Sequence, residues 1–186
     1  MRRITKLLAW IGTVCVLSAG LLGAGLVPRA GASTRVATGP KFAFDDPCTY
    51  PRRSVVKRSF GKPVTAATLS GASVCYLSLG PDPDVAPNAR LAITREFPGN
   101  RDFTTAREQF EDKRAIENLS AFELADVFDL GRAAYSNLTT GAVTVLANKK
   151  FGFTLSWIPA GGAAITPREI KALERIAHDI VARSRD

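Results

Sequence analysis

The side chains that could support catalysis are few and scattered along this 186-residue chain. It has one histidine (His178), three cysteines and 17 acidic residues. A histidine relay needs a nucleophile or an acid held beside the ring, and no such pattern surrounds His178. Asp82 and Asp84 have the spacing of calcium ligands, but Pro83 and the lack of later acids break the loop pattern. We therefore predict no metal, no cofactor and no enzymatic activity.

Acid–base hydrolysis is the one chemistry that this inventory leaves open. Two carboxylates can act as an acid and a base or nucleophile without a local motif, because the fold alone decides which acids meet. A secreted hydrolase that uses scattered carboxylates is therefore an alternative hypothesis. It requires two acids that share a cleft and have perturbed pKa values.

Two of the cysteines, Cys48 and Cys75, have the properties of a structural pair. They lack the Cys-x-x-Cys spacing of redox and zinc sites, and no histidine lies near either one. An even pair in an exported chain favours a disulfide. We predict a Cys48–Cys75 bridge, which the chain-entropy model values at about 3–4 kcal/mol.

The first 32 residues have the pattern of an export signal. Their charges are all positive, and an uncharged apolar run covers residues 7–27. Ala30 and Ala32 lie where a signal peptidase needs small side chains, so we predict cleavage before Ser33. The run is also about as long as a membrane span, and an uncleaved anchor at residues 7–27 is the alternative. Both interpretations place the rest of the chain outside the cytoplasm.

The net charge of +8 overstates the basic character of the domain. Four of the 25 basic residues lie in the signal, which leaves 21 against 17 acidic residues, a net +4. The densest basic cluster, on a predicted helix, comprises Arg52, Arg53, Lys57 and Arg58. We interpret it as a solvated face, with weak contact to an anionic membrane surface as the alternative. No aromatic residues are interleaved for base stacking, so we predict no nucleic-acid partner.

Hydrophobic periodicity predicts a single α+β domain over residues 44–186, preceded by a flexible leader at 33–43. The composition, 46% hydrophobic and 23% charged, is typical of a globular chain. We expect an antiparallel sheet of about five strands packed by helices as a two-layer sandwich, in the order α-β-β-α-β-β-β-α. The predicted helices are 51–60, 103–116 and one from residue 167; the strands are 73–79, 89–96, 122–130 and a central hairpin at 142–158, with a turn at 131–135.

Start signals support these helices. Thr166, Pro167 and Glu169 form the strongest one, a capping box with proline at the first helical position. Thr105 and Glu108 could form a second box, with Asp102 as an alternative cap. Pro51 is the predicted first residue of the first helix, and Gly61 its predicted stop.

The order of several short motifs resembles an exported actinobacterial family of unknown function. The motifs are Asp46-Pro47-Cys48, Gly61, Cys75-Tyr76 and the segment Leu130–Tyr135, followed by the late hairpin and the terminal helix. The resemblance covers residues 44–184 and implies a cell-envelope location and a sheet-and-helix sandwich, similar in outline to extracytoplasmic sensor domains. Members are often lipoproteins, but this chain has no well-placed cysteine for a lipid. Arg132 also stands where the family pattern has an acid.

These observations favour an exported, non-enzymatic binding or sensor-like domain with an unknown envelope ligand or protein partner. Tyr76, Tyr135 and Trp157 are candidate walls of a ligand cleft between sheet and helices, although aromatic residues more often belong to the core. A third hypothesis is a structural or accessory envelope protein tethered by the uncleaved segment.

Overall fold

The computed structural model describes residues 41–80, 89–97 and 105–185. A short 3-10 helix at Pro47–Thr49 precedes the regular elements, and a second one lies at Ala160–Gly162. The helices are α1 (Arg53–Phe60), α2 (Ala106–Leu119) and α3 (Pro167–Arg183). The strands are β1 (Val64–Ser70), β2 (Val74–Leu79), β3 (Ala89–Phe97), β4 (Leu124–Asp126), β5 (Ala133–Asn137), β6 (Ala142–Leu146) and β7 (Gly152–Ile158).

The predicted α+β class with an antiparallel sheet is confirmed, but the number of strands and the layering are different. The sheet has seven antiparallel strands in the order β1-β2-β3-β7-β6-β5-β4, so β7 is central, as its alternating pattern indicates. Helices α1 and α3 cover one face of the sheet. Helix α2 packs on the opposite face, over β5 and β6. The two-layer sandwich was therefore wrong, because helices lie on both faces.

The main core lies between the sheet and the α1–α3 layer. Alternate residues of β7 point into it, with Phe153 and Leu155 fully buried. Helix α3 supplies the predicted stripe, which is buried from end to end: Ile170, Leu173, Ala177, Ile180 and Val181. A smaller cluster under α2 contains Phe110 and Tyr135. The main core is the larger of the two clusters and therefore stabilises the domain more. Helix α2 has two buried residues, Ala106 and Phe110.

Two strands were missed. β1, at residues 64–70, forms the edge of the sheet and pairs with β2 along its length. β5 occupies most of the predicted turn at 131–135 and pairs with both β4 and β6. The strand predicted at 122–130 is reduced to the three residues of β4.

The helix ends follow their caps. The two capping boxes, Thr105 with Glu108 and Thr166 with Glu169, are both present, so the alternative cap Asp102 is wrong. Helix α1 begins at Arg53 rather than Pro51. The αL residue Gly61 ends α1, as predicted.

The remaining predictions concern the leader, the signal and the Asp82–Asp84 loop, which lie at the edge of the described residues or outside them. Phe42 stacks on Tyr50, with ring centroids 5.2 Å apart, so the last residues of the predicted leader are packed against the domain. The signal and its cleavage residues Ala30, Ala32 and Ser33 lie outside the described residues, as do Asp82 and Asp84. None of the helices described is long and apolar enough to cross a membrane.

Two glycines with the same backbone conformation allow a matched test of packing. Gly61 and Gly131 have φ angles of +71° and +66°. A Cβ at Gly61 would meet no atom within 4 Å, whereas one at Gly131 would lie 2.7 Å from the Leu146 carbonyl oxygen. We expect Gly61→Ala to cost about 1 kcal/mol and Gly131→Ala about 2–3 kcal/mol in urea unfolding. Equal costs would show that the backbone contact at Gly131 has no energetic effect.

Candidate functional site

The three candidate aromatic residues do not share a cleft. Trp157 lies on the sheet face that α1 and α3 cover, stacked on Phe60. Tyr135 is fully buried on the opposite face, where it packs against Phe110 of α2. Tyr76 alternates with Cys75 along β2, so it also points away from the α1–α3 layer, and it is half-buried. Of the three, only Trp157 lines a cavity described in this structure.

This cavity, which we call the Trp157 pocket, has a volume of about 360 Å³. It forms where the end of α1, the end of β7 and the start of α3 meet. Gly61 stops α1 in an αL turn, and the capping box starts α3 at the same level of the domain. The pocket is lined by Ser59, Phe60, Lys62, Trp157, Thr166, Arg168, Glu169 and Ala172.

The floor of the Trp157 pocket is a stacked pair of aromatic rings held by a hydrogen bond. The rings of Phe60 and Trp157 are parallel within 12°, with centroids 4.1 Å apart. The indole Nε1 donates a hydrogen bond of 2.7 Å to Oε1 of Glu169, which fixes the indole plane. A buried stack with its polar edge satisfied loses little rotamer freedom when a ligand binds. The floor is therefore preorganised.

The rim of the pocket has two cations and one carboxylate, and the carboxylate is held by neutral donors rather than by the cations. Oε2 of Glu169 accepts hydrogen bonds from the backbone N–H and the hydroxyl of Thr166, at 2.7 and 2.9 Å, while Oε1 accepts from Trp157. Lys62 and Arg168 are exposed, and neither forms an ion pair with any other described residue. The pocket thus offers two unpaired cations beside an aromatic floor.

The residues of the predicted basic cluster differ in their contacts: one binds α3, and others are exposed to solvent. The guanidinium and backbone N–H of Arg52 both donate to the carboxylate of Asp179, a buried residue of α3. This hydrogen-bonded carboxylate raises the pKa of Arg52 further above its ordinary value. Arg52 therefore fastens α1 to α3. Arg53 is half-buried, and Lys57 and Arg58 are exposed on the outer side of α1.

A polar layer lies under α2. The Lys113 ammonium donates to Glu96 at 2.5 Å and to the Thr154 hydroxyl at 3.1 Å. The hydroxyl of buried Tyr135 makes no hydrogen bond of good geometry with a described residue. Burial raises the pKa of Tyr135 above its ordinary value. This layer therefore consists of polar groups that contact one another between α2 and the sheet.

The described carboxylates near this layer are engaged with partners. Glu96 pairs with Lys113, and Glu117 accepts a hydrogen bond of 2.7 Å from the Asn137 amide. Within the described residues, no group of three or more His, Cys, Asp or Glu side chains could hold a metal ion. His178 is exposed on the outer side of α3, as its position off the apolar stripe predicts.

Comparison of the chain with protein-family models, curated proteins and solved structures finds no match. The geometry of the site is therefore the basis for a proposed function. Of its residues, sequence reasoning identified Trp157 but missed Phe60, Lys62 and Arg168. No local signal connects these three, since the contact between α1, β7 and α3 is what brings them together.

Proposed function

We propose that this protein is an exported, non-enzymatic binding domain of the cell envelope, whose ligand is a small anion with an apolar part. The observation that carries the proposal is the Trp157 pocket, with its stacked aromatic floor and the two unpaired cations on its rim. The export pattern of residues 1–32 and the Cys48–Cys75 bridge support an extracytoplasmic location.

The dimensions and charge of the pocket limit the class of ligand. A volume of about 360 Å³ is at the low end of small-molecule sites and fits one or two small ring systems, or a short chain, with a charged group. Lys62 and Arg168 favour a carboxylate, sulfonate or phosphate at the mouth. Because Glu169 is held by Trp157 and Thr166, it does not neutralise the two rim cations by pairing with them.

Removal of the rim cations is expected to weaken binding of an anionic aromatic probe by at least about tenfold, since each cation contributes a charge-assisted hydrogen bond. The probe is 8-anilinonaphthalene-1-sulfonate, and the variant is Lys62→Gln with Arg168→Gln. Trp157 is one of two tryptophans, so a Trp10→Phe background makes it the only fluorophore of its kind. Titration followed by Trp157 quenching and by probe emission gives Kd.

The matched control removes two cations elsewhere, by Lys149→Gln with Lys150→Gln in the turn between β6 and β7. Both residues are exposed and precede β7, whereas Trp157 lies near the other end of that strand. We expect this control to bind the probe as the parent does. Equal affinity of the rim variant and the control, or probe emission without Trp157 quenching, would contradict the proposed site.

A further inference from the structure

The outward charges of α1 and α3 have one sign. Helix α1 contains no acidic residue, and α3 contains three, all of which are held by partners within the protein. Asp179 is bound by Arg52, Glu169 by Trp157, and Glu174 by the hydroxyl of Ser136 at 3.1 Å. Asp179 is neutralised by Arg52, whereas Glu169 and Glu174 keep their charge but are only partly exposed. The exposed charged side chains of α1 and α3 are all cations.

The cations of this layer are exposed on the outer side of both helices. On α3, residues 168, 171 and 175 fall within an arc of about 60° at 100° per residue, on the side away from the buried stripe. On α1, Lys57 and Arg58 project from the side opposite Val55 and Val56. None of these cations forms an ion pair with a described residue. We call the following set the basic face: Lys57, Arg58, Lys62, Arg168, Lys171 and Arg175.

The other helix has a mixed surface. Helix α2, on the opposite side of the sheet, carries four acidic and three basic residues. Arg107 pairs there with Glu111, and Arg114 with Asp126. The contrast shows that the positive charge belongs to one layer rather than to the whole domain.

We propose that the basic face docks on the headgroups of an anionic lipid bilayer. The face is the outer surface of two packed helices, so it presents its charge across a broad area rather than in a groove. The exposed large hydrophobic residues that the structure describes lie on other elements, so contact would be electrostatic and without insertion. The basic face shares Lys62 and Arg168 with the Trp157 pocket, and its other four cations lie outside the pocket lining.

The point where the chain joins the domain favours a bilayer as the occupant. The Arg183 guanidinium of α3 lies over the ring of Phe42, 5.4 Å from its centroid, so the first described residues are attached to this same helical layer. The apolar run at 7–27 is separated from Lys41 by residues 28–40, and the distance from residue 27 to residue 41 is at most about 50 Å when this segment is extended. A retained anchor would hold the domain within reach of a bilayer, and a cleaved signal would deliver it to the outer surface of one.

The test compares vesicles of phosphatidylcholine alone with vesicles that contain about one third phosphatidylglycerol. The full chain is used, and the ratio of its two partition coefficients is measured at low salt by co-sedimentation. The apolar run and the four cations that flank it are the same in all variants, so a difference in this ratio between variants reports the charge removed from the domain. Arg58→Gln, Lys171→Gln and Arg175→Gln together should lower the ratio by about 100-fold, at about fivefold for each cation.

The control variant removes the same net charge away from the face, by Arg107→Gln, Lys149→Gln and Lys150→Gln. Its ratio should stay close to that of the parent chain, and the parent's ratio should collapse at about 0.5 M salt. Equal ratios for the two triple variants would overturn the proposal. Binding to soluble polyphosphate with no preference for anionic vesicles would also overturn it. Because Lys62 and Arg168 are unchanged, titration with the anionic probe separates failure here from failure of the pocket.

Discussion

Loss of the Cys48–Cys75 bridge is expected to lower the free energy of unfolding by about 3–4 kcal/mol. The double variant Cys48→Ala with Cys75→Ala removes the cross-link without leaving a free thiol among the described residues. The loop between the two cysteines separates them by 27 positions, and its closure restricts the unfolded chain. A loss of this size is a large part of the stability of an ordinary domain.

Because of its position, the bridge is also expected to hold the first described segment of the chain against the sheet. Cys75 is fully buried on β2, and Cys48 lies in the 3-10 helix just before Tyr50. Tyr50 is fully buried and contacts the rings of Phe42, Phe151 and Phe153. Without the bridge this aromatic packing must hold the first segment alone. We therefore expect faster amide exchange at residues 42–50 than in α3.

Reduction of the parent chain separates the cross-link from the packing of the cysteine side chains. Urea unfolding is measured for the oxidised parent, the parent in a phosphine reductant, and the double alanine variant. The reduced parent should lose most of what the alanine variant loses, and the remainder reflects the small volume removed at Cys75. An oxidised and a reduced parent with the same urea midpoint would show that the bridge does not stabilise the fold.

The elements that could be predicted are those whose signals are local. The start of α3 depends on Thr166, Pro167 and Glu169, which are adjacent in sequence and satisfy one another. The hairpin of β6 and β7 shows clear alternation because its strands are central and one face lies on the main core. In both cases the physical cause lies within a few residues of the pattern.

The strands that were missed have their causes elsewhere in the chain. β1 is an edge strand with no fully buried residue, so Val64–Ser70 shows no alternation. In β5, Ser136 and Asn137 are buried polar residues, and their partners are Glu174 of α3 and Glu117 of α2. A segment of small and polar residues after Gly131 resembles a turn until those helices are in place.

The same distinction applies to the sites. Helix α1 begins at Arg53 rather than at Pro51, and a distant residue contributes to this difference. The backbone N–H of Arg52 donates to the carboxylate of Asp179, which is 127 positions away in the sequence. The pocket needs three separate segments, so only Trp157 could be proposed. The cations at 168, 171 and 175, which form the α3 half of the basic face, repeat at helical spacing and can be recognised in the sequence. The sequence alone does not show that the acidic residues of α3 have partners within the protein, and the positive charge of the face depends on this.

Two buried tyrosines make the fold sensitive to alkaline pH. Burial is the main cause that raises the pKa of both Tyr50 and Tyr135 above the ordinary value of 10.0. The hydroxyl of Tyr50 also donates a hydrogen bond of 2.7 Å to the Phe44 carbonyl oxygen, which requires the neutral phenol. The folded state therefore keeps two protons at a pH where the unfolded chain begins to release them.

The free energy of unfolding should consequently fall above about pH 10, where the unfolded state binds fewer protons than the folded state. Each tyrosine contributes a slope of up to about −1.4 kcal/mol per pH unit, and the two together up to about −2.7. The measurement is urea unfolding at steps from about pH 9 to about pH 11, with tyrosinate absorbance recorded on the folded protein. Tyr50→Phe and Tyr135→Phe should each remove about half of the tyrosine slope. Ionisation of lysines is common to all variants and cancels in the difference. A double variant with the slope of the parent would contradict the assignment, since no buried phenol would then remain to explain it.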